Sequence, residues 1–397
     1  MRAQKAVYAA RLHVGRELLE SLEAARGSGR DGNRIDAQRA ARLEGQMGKS
    51  DIRRQIDAVD EKILKLLSER AELALKTARF KRTNYDPARE KKIIARLAEL
   101  NEGPLDEARI EAVWREILSA CRGLQKLPTV AFLGPRATFS HAAALKKFGS
   151  NVIERPCEDI SMVFDDVEKG LADYGVVPFE NSNEGAVNNT LDRLATTPLA
   201  AVGEIYSEIS LNLMAKHDNF KEIKKIYTHP KALEQCAEWL KRNARGKEIE
   251  QVSSTAVAAQ RAARFKSAAA VAGELAADIY GLKIIRPRIE DHRDNKTRFL
   301  VMGREKNLPS GDDKTSALFS VRHEPGTLYR ALKSFEKHNL NLTMMLSRPS
   351  PTGRWEYMFF VDLEGHESDE NVKAALKDMR RETIVLKAIG SYPKEKA

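Results

Sequence analysis

The 397-residue chain contains only three cysteines, and Cys121, Cys157 and Cys236 lie far apart. There is no C-x-x-C pair and no pair of histidines at ligand spacing, so the sequence predicts no structural metal. No apolar run approaches the roughly 18 residues of a membrane-spanning helix, and the N-terminus lacks the apolar core of a signal peptide. We therefore expect a reduced cytoplasmic protein that does not enter membranes.

Aromatic residues are also scarce, at 6% of the chain, and no block of Lys and Arg is interleaved with them. The formal net charge is +10, and residues 1–49 supply +4 of it, with ten Lys/Arg against six Asp/Glu. A mildly basic remainder suits anionic small substrates as well as nucleic acid. Because basic patches with interleaved aromatics are missing, we expect small-molecule substrates and no nucleic-acid partner.

Residues 1–49 are predicted to be an extension, flexible or partly helical, with a helix over residues 6–25. The hexamer GSGRDG at residues 27–32 matches G-x-G-x-x-G. The dinucleotide-binding motif follows a strand and opens a helix. A helical pattern precedes this hexamer instead, so a flexible segment is favoured over a nucleotide site.

Residues 51–125 have the pattern of a helical module. Apolar side chains recur every four and three residues along a long first helix, which is typical of packing against another helix. Arg70 lies within this stripe, where a charge is costly unless it is paired. It either extends to the helix edge or binds an anion inside a bundle. The apolar members of the stripe are Ile52, Ile56, Val59, Ile63, Leu66 and Leu73.

Two further helices are predicted in this module. Asp86 and Pro87 form an N-cap and first position for the second helix, and the third covers residues 106–125. Arg53 and Arg70 are separated by about 25 Å along one helix at ~1.5 Å per residue. They cannot grip the same small molecule from one chain, so a shared site requires an antiparallel partner and predicts a two-fold dimer.

From residue 129 the pattern changes to alternating strands and helices. Four strands each end in a hydroxyl- or amide-rich turn at a helix start, and we expect these turns to gather on one edge of a parallel sheet, where they suit carboxylates. A single helix is predicted over residues 231–240 and another over 268–280. The turns begin at Gly134, Pro178, Thr228 and Ser253.

A linker at residues 307–314, rich in Pro, Gly and Asp, precedes the last segment. Strands are predicted at 316–322, 342–347, 357–361 and 385–390, with helices at 326–338 and 368–380. This β-α-β-β-α-β order is that of a ferredoxin-like α+β domain.

Motifs between residues 129 and 304 resemble, in their order, those of the prephenate dehydratase family. The helical module resembles the all-helical chorismate mutases, and the last segment is similar to ACT regulatory domains. Together, over about residues 50–392, they resemble the bifunctional chorismate mutase/prephenate dehydratase family. The dehydratase motifs are FLGP at 132–135, TFS at 138–140, VPFENS at 177–182, EG at 184–185, HP at 229–230, QC at 235–236 and TRF at 297–299.

The resemblance implies two chemistries. In the mutase, arginines bind the carboxylates of chorismate and polar side chains stabilise the ether oxygen during a pericyclic rearrangement. The residues that this resemblance assigns are Arg53, Arg70, Lys81, Asp86, Arg89, Glu90 and Gln125. The link between Lys81 and Asp86 is about one helical turn shorter than the family pattern, which puts the mutase site in question.

In the dehydratase, prephenate loses CO₂ and hydroxide together, driven by aromatisation, and no cofactor is implied. Thr297 is the candidate proton donor or hydrogen-bonding partner of the leaving hydroxyl. Arg298 is either a carboxylate ligand or part of a structural ion pair, and Phe299 is mainly expected to pack. The implied substrate-binding residues are Thr138, Ser140, Glu180, Asn181, Ser182, Gln235, Ser254, Arg298 and Phe299.

In the C-terminal domain, the resemblance implies an effector site for phenylalanine and feedback inhibition. Thr327 stands where the family usually has Ala, and Leu346 where it usually has Glu, so a carboxylate that would bind the amine of the effector is lost. The implied effector-binding residues are Gly326, Thr327, Leu328, Asn341, Leu342, Ser347 and Arg348.

The predicted organisation is therefore an extension at 1–49, an all-α mutase module at 50–126, a two-lobed α/β domain like periplasmic binding proteins at 129–305, and an ACT domain at 314–392. The expected assembly is a homodimer or homotetramer. Two alternatives remain open. One is a monofunctional dehydratase with a degenerate mutase module, and the other is a two-lobed amino-acid or solute sensor, since fold by itself does not separate these functions.

Overall fold

The computed structural model of the chain describes residues 34–77, 85–349 and 357–395. The predicted helix at 6–25, the glycine-rich hexamer and Lys81 lie outside these residues. The described residues belong to two units, one ending at Glu69 and the other beginning at Arg70. Within the described ranges, no helix is long and apolar enough to cross a membrane.

Among the described residues, three α-helices precede the first strand: α1 (Arg34–Thr77), α2 (Pro87–Glu99) and α3 (Glu107–Gln125). Helix α1 continues through residue 50 without a break, so part of the predicted extension is helical. Helix α2 begins where the sequence predicts. The Asp86 carboxylate accepts a hydrogen bond from the backbone N–H of Arg89, which satisfies one of the free N–H groups of the helix N-terminus.

The first lobe of the α/β segment is built on a mixed sheet with strand order β2-β1-β3-β11-β5. Strands β1, β2 and β3 are parallel, whereas β11 runs antiparallel to both β3 and β5. The short strand β4 pairs with β3. The elements are β1 (Thr129–Leu133), α4 (Phe139–Phe148), β2 (Ile153–Cys157), α5 (Ile160–Glu168), β3 (Tyr174–Asn181), β4 (Gly185–Ala186), α6 (Asn188–Thr196), β5 (Ala200–Glu208) and β11 (Lys296–Gly303).

The second lobe has a sheet with strand order β10-β6-β9-β7-β8. Strands β7, β8 and β9 are parallel, and β6 runs antiparallel to β9 and β10. The elements are β6 (Asn212–Ala215), a 3₁₀ turn (Phe220–Glu222), β7 (Lys225–Thr228), α7 (Pro230–Gln235), α8 (Ala237–Asn243), β8 (Glu248–Gln251), α9 (Thr255–Ala262), β9 (Ala268–Ala272), α10 (Glu274–Tyr280) and β10 (Lys283–Arg286).

The two-lobed layout confirms the predicted fold class, but two details of the prediction are wrong. The four strand-end turns do not share one sheet edge, because β1 and β3 belong to the first sheet and β7 and β8 to the second. The chain crosses into the second lobe and returns as β11, a route that local patterns do not reveal. The single helix predicted over residues 231–240 is divided at Cys236 into α7 and α8.

The helix predicted over residues 268–280 is also wrong in its first half. Residues Ala268–Ala272 form β9, which lies fully buried between β6 and β7. Alanine favours helices, so local propensity pointed to the wrong element. In the fold, the small side chains of β9 pack against the alanines of α9. Burial in the middle of a sheet outweighs intrinsic propensity here.

The C-terminal domain confirms the predicted β-α-β-β-α-β order. Its antiparallel sheet has strand order β13-β14-β12-β15. One face packs on the two helices. On the other face, Leu318, Phe360 and Ile389 share a core with Phe179 and Leu194 of the first lobe. The elements are β12 (Asp313–Ser320), α11 (Thr327–Lys337), β13 (Leu342–Pro349), β14 (Tyr357–Glu364), α12 (Glu370–Met379) and β15 (Val385–Pro393).

Candidate active sites

Thr297 and Asn181 face each other across the paired ends of β11 and β3. Asn181 Nδ2 donates a hydrogen bond to Thr297 Oγ1 at 2.9 Å and another to Asn295 Oδ1 at 2.7 Å. Asn181 Oδ1 accepts the backbone N–H groups of Asn183 and Glu184 at 2.9 and 3.0 Å. Because the amide oxygen is held by two backbone donors, the NH₂ group must point toward Thr297. The Thr297 oxygen thus receives a hydrogen bond, and its own hydrogen can be donated elsewhere.

Ser182 closes the other side of this turn. Its Oγ accepts the backbone N–H of Lys296 at 3.0 Å, and its own N–H donates to the Lys296 carbonyl at 2.9 Å. Ser182 Oγ also donates to the Asp294 carbonyl at 3.2 Å. These bonds fix the loop that leads into β11. Glu180, the last residue before Asn181, is half-buried at the end of β3.

One carboxylate connects the two lobes near this turn. Glu184, between β3 and β4, forms an ion pair with Lys231 on α7. Gln235 Nε2, on the same helix, lies 3.3 Å from Glu184 Oε1. The pair is largely exposed and is worth no more than about 1 kcal/mol, so it does not lock the lobes together. It does bring Gln235, a predicted substrate-binding residue, to the turn that holds Thr297.

Three predicted residues lie at helix starts away from the Asn181 hydrogen bonds. Thr138 caps α4, since its Oγ1 accepts the His141 N–H and donates to the Leu133 carbonyl at 2.9 Å. Ser140 is buried in the first turn of that helix. Ser254 caps α9 and accepts the Val257 N–H at 3.0 Å. Among the described residues, the Thr138 hydroxyl therefore both donates and accepts a hydrogen bond within the turn that it caps.

The structure corrects the predicted contribution of Arg298 and Phe299 to substrate binding. Arg298 is 4% exposed, and its guanidinium pairs with Glu204 and with Asp362 of the C-terminal domain. This is the structural ion pair that the sequence left as an alternative. Phe299 is buried in the core of the first lobe. Neighbouring residues of a strand face opposite sides of the sheet, and Arg298 accordingly lies on the face that the C-terminal domain covers.

In the helical module, Arg70 and Gln125 each present a buried polar atom that has no hydrogen-bond partner among the residues described. These atoms are Arg70 Nη1 and Gln125 Oε1. The Arg70 guanidinium lies 5.7 Å from the centroid of the Trp114 ring, and Gln125 Nε2 donates to the Ala74 carbonyl at 2.6 Å. An unpaired buried guanidinium nitrogen is costly, and a bound carboxylate would satisfy it.

Two of the remaining mutase candidates, Glu90 and Asp86, have local structural partners. Glu90 pairs with the buried Arg122 at 2.5 Å, and Asp86 is occupied as the cap of α2. Arg89 is exposed in the first turn of α2, and Arg53 is exposed on α1. Arg70 and Gln125 therefore each have a buried polar atom available to a ligand, whereas Asp86 Oδ1 is used to cap α2.

The first predicted effector motif forms the start of α11. Gly326 has a φ of +80°, a backbone conformation that side chains disfavour. Thr327 Oγ1 donates to the carbonyls of Arg322 and Glu324 at 2.8 and 2.9 Å, so its hydroxyl supports the turn. Leu328 packs into the core of the domain.

The second effector motif lies on β13, the edge strand of the C-terminal sheet. Arg348 Nη2 donates to Asp192 on α6 at 2.9 Å, and so connects this strand to the first lobe. Ser347 is exposed and Leu342 is half-buried. Asn341 Nδ2 lies 3.3 Å from Glu364 Oε2. Leu346 packs on the core that the two domains share, where a glutamate would carry an expensive charge.

The pKa of the histidine at the start of α7 lies below its usual value. His229 Nδ1 accepts the Lys231 N–H at 3.3 Å. Burial and then the charge of Lys231 lower the pKa of His229, while Glu184 opposes them. Across the described ranges, no group of three His, Cys, Asp or Glu residues is placed to hold a metal ion.

Three residues near Thr297 were missed by the sequence reasoning as functional candidates. Asn295 accepts a hydrogen bond from Asn181 and lies two residues before Thr297. Side chains two residues apart in an extended chain face the same side, and this spacing could have identified Asn295 as a candidate. Glu184 belongs to a recognised motif, but its partner Lys231 is 47 residues away. Only the tertiary fold brings these two together.

Comparison with known proteins places three family matches in order along the chain: chorismate mutase type II over residues 52–126, prephenate dehydratase over 130–307 and the ACT domain over 315–381. A bifunctional chorismate mutase/prephenate dehydratase of Aquifex aeolicus is 45% identical over 352 residues, which cover 87% of this chain and 97% of that protein. The enzyme of the same description from Stutzerimonas stutzeri is 42% identical over 353 residues, covering 86% and 97%.

Among solved structures, a prephenate dehydratase from Arthrobacter aurescens in complex with L-Phe aligns with a TM-score of 0.61 and 32% identity. The alignment covers 67% of this chain and 90% of that one.

Proposed function

Because the chain belongs to the family of bifunctional chorismate mutase/prephenate dehydratases, we propose that it converts chorismate to prephenate and prephenate to phenylpyruvate, for the synthesis of phenylalanine. The observation that carries the dehydratase half is the hydrogen bond of 2.9 Å between Asn181 Nδ2 and Thr297 Oγ1. It joins two separate family motifs at one point. The sensor alternative lacks this support, because a binding protein needs no polarised hydroxyl.

In the dehydration, the bond to the ring carboxylate breaks, its electron pair enters the ring, and the ring hydroxyl leaves with a proton as water. Thr297 is the donor to that hydroxyl. Asn181 donates to the Thr297 oxygen, which directs the threonine hydrogen away from Asn181 and toward the substrate. A threonine is a weak acid, so its contribution is a strong hydrogen bond that grows as charge develops on the leaving oxygen. Glu180 and Gln235 orient the substrate around it.

In the rearrangement, no nucleophile is needed, and catalysis consists of holding the substrate in a reactive conformer and stabilising the ether oxygen. Arg70 binds a substrate carboxylate through Nη1, which has no partner among the described residues, and Gln125 contributes to the same site. Arg53, supplied by a second protomer, and Lys81 complete the site. Neither reaction draws on a metal or an organic cofactor, because one is pericyclic and the other is driven by aromatisation.

Phenylalanine acts on the C-terminal domain as a feedback inhibitor. The ACT match and the relative that was solved in complex with L-Phe support this role. Arg348 offers a physical connection, because it belongs to the predicted effector motif and also pairs with Asp192 of the first lobe. Leu346 lacks the carboxylate that would bind the effector amine, which predicts a lower affinity for phenylalanine.

The assembly is a homodimer formed through α1, or a tetramer built from such dimers. The apolar stripe of α1 is solvent-exposed in the single chain, with Ile52 58%, Ile56 53% and Ile63 48% exposed. Exposed apolar surface of this kind marks an interface. We place the enzyme in the cytoplasm, where its three buried free thiols stay reduced.

The test is an assay of the purified chain with chorismate that resolves prephenate from phenylpyruvate, with and without phenylalanine. The bifunctional enzyme forms both products in sequence, and phenylalanine lowers the second rate. Turnover of prephenate without any turnover of chorismate would instead establish the monofunctional dehydratase. Binding of aromatic amino acids without turnover of either substrate would establish the sensor.

A further inference from the structure

A buried group of charges joins the strand that carries Thr297 to the ACT sheet. The Arg298 guanidinium lies 2.9 Å from Glu204 Oε2 on β5 and 2.5 Å from Asp362 Oδ2 on β14. Lys314, on β12, lies 2.9 Å from the same Glu204 oxygen. The four side chains are at most 6% exposed. Two positive and two negative charges thus neutralise each other at the boundary between the two domains.

Three hydrogen bonds and one ion pair close this group into a ring. Arg298 Nη2 donates to Tyr392 OH at 2.9 Å, Tyr392 OH lies 2.5 Å from Ser316 Oγ, and Ser316 Oγ donates to Asp362 Oδ1 at 2.5 Å. Because the hydrogen of Ser316 goes to Asp362, Tyr392 must donate its own hydrogen to Ser316. The second oxygen of Asp362 forms the ion pair with Arg298. Removing any member leaves a buried neighbour unpaired, which is costly at low dielectric.

The ring lies directly behind the catalytic candidate. Arg298 follows Thr297 on β11, and the register of β11 against β3 shifts between Arg298 and Phe299. The shift leaves Phe179 as an extra residue of β3, and the Arg298 guanidinium lies 5.0 Å from the centroid of the Phe179 ring. A bulge re-aims the side chains beside it. The bulge and the ion pairs of Arg298 thus lie immediately beside the pairing of Thr297 with Asn181.

Building on the proposed dehydratase function, we propose that Arg298 is a positioning residue for Thr297, and that Asp362 of the ACT domain serves the dehydratase site by holding Arg298. Arg298 acts through the strand and not through the substrate. The dehydratase site is complete only when the ACT sheet is in place. A movement of that sheet alters the reacting geometry while the groups that bind substrate remain where they are.

The first experiment compares Asp362→Asn with the wild-type chain. Asparagine keeps the shape of the side chain and removes its charge. We expect the dehydratase kcat to fall about 10- to 100-fold, since small misplacements of a reacting group cost rates of this order. The KM for prephenate should stay within about twofold, because interactions lost only in the transition state change kcat. The mutase activity of the same chain reports on folding.

The matched control is Asp378→Asn. Asp378 is a half-buried ACT carboxylate whose partners, Lys337, His338 and Arg381, all lie within that domain. It should leave both dehydratase constants at their wild-type values. An Asp362→Asn enzyme with wild-type kcat would overturn the proposal, and so would an equal loss of kcat in both variants.

The second experiment is a double-mutant cycle with Arg298→Gln. If Asp362 acts through Arg298, then Asp362→Asn should lower kcat by less than about twofold further once Arg298 is replaced. Independent, multiplicative losses would contradict the mechanism.

Should Asp362→Asn fail to fold, as lost mutase activity would reveal, Tyr392→Phe removes one hydroxyl from the ring and nothing else. A lower kcat at constant KM supports the proposal, and an unchanged kcat overturns it. The wild-type chain separates the two levels of inference. If the wild type does not turn over prephenate, the proposed function is wrong. If the wild type is active and the variants are unaffected, only the proposed role of Arg298 and Asp362 is wrong.

Discussion

Asn181 Nδ2 and Thr297 Oγ1 lie 2.9 Å apart, although 116 residues separate them in the sequence. The pairing of β3 with β11 makes this contact. It places an amide donor on the hydroxyl that we propose as the donor in the dehydration, and the backbone holds the amide in that orientation.

The first prediction concerns this pair. We expect Thr297→Ala to lower the dehydratase kcat by about 10²-fold or more, the usual range for a lost proton donor. Asn181→Ala should lower it less, because the hydroxyl remains. Steady-state kinetics with prephenate measure both. The control is Thr196→Ala, which changes an exposed threonine at the end of α6. A near wild-type rate for Thr297→Ala would refute the assignment of Thr297 as the donor.

The second prediction concerns Arg70, whose Nη1 atom is buried without a partner among the described residues. Replacing it with Ala should reduce the mutase kcat/KM by about 10²-fold or more, as expected when one charged donor is lost. The dehydratase activity of the same chain should persist. Arg109→Ala removes an exposed arginine of α3 and should change neither activity. Undiminished chorismate turnover by Arg70→Ala would contradict the mutase site.

The third prediction concerns the apolar stripe of α1. Ile63 is 48% exposed in the single chain, and we propose that a second protomer covers it. Ile63→Glu would bury a charge there, so dimer affinity should fall more than about tenfold. Sedimentation at several concentrations measures this. Leu100→Glu, at an exposed position after α2, should leave the mass unchanged. A wild-type chain that is monomeric at all concentrations would be the contrary result.

The fourth prediction concerns the connection between Arg348 and Asp192. Arg348→Met removes a charged hydrogen bond of 2.9 Å between the ACT edge strand and α6. We expect the phenylalanine concentration for half-inhibition to rise about tenfold, equivalent to ~1.4 kcal/mol. Inhibition curves with prephenate provide the measurement. The control is Arg380→Met, which alters an exposed arginine at the end of α12. Phenylalanine should inhibit this variant as it inhibits the wild type. Identical curves for both variants would disprove the role of Arg348.

The fifth prediction concerns pH. His141 is buried against Phe132, and its Nδ1 accepts the Ala137 N–H at 3.0 Å. Burial lowers the pKa of His141, although Glu154 opposes this. The folded protein therefore binds this proton less readily than the unfolded chain does. The stabilisation is complete above the unfolded pKa of about 6.5, and it is lost as pH falls through the lower folded pKa.

Thermal unfolding midpoints at pH values from about 7.5 to 5 test this expectation, because the unfolded chain protonates near pH 6.5. His141→Asn should show a shallower decline than the wild type. His292→Asn, at an exposed position, should decline as the wild type does. Parallel curves for all three proteins would show that His141 makes no contribution.

The sequence by itself determined the family, the order of the helical, α/β and ACT segments, and the cap of α2 at Asp86. These features depend on local spacing, since apolar periodicity and capping residues act within a few positions. The sequence also singled out Thr297 and Asn181. Tertiary structure decided that β9 is a strand, that the strand-end turns belong to two sheets, and that Arg298 turns toward the ACT domain. Each of these depends on partners distant in sequence, where burial and charge pairing outweigh local propensity.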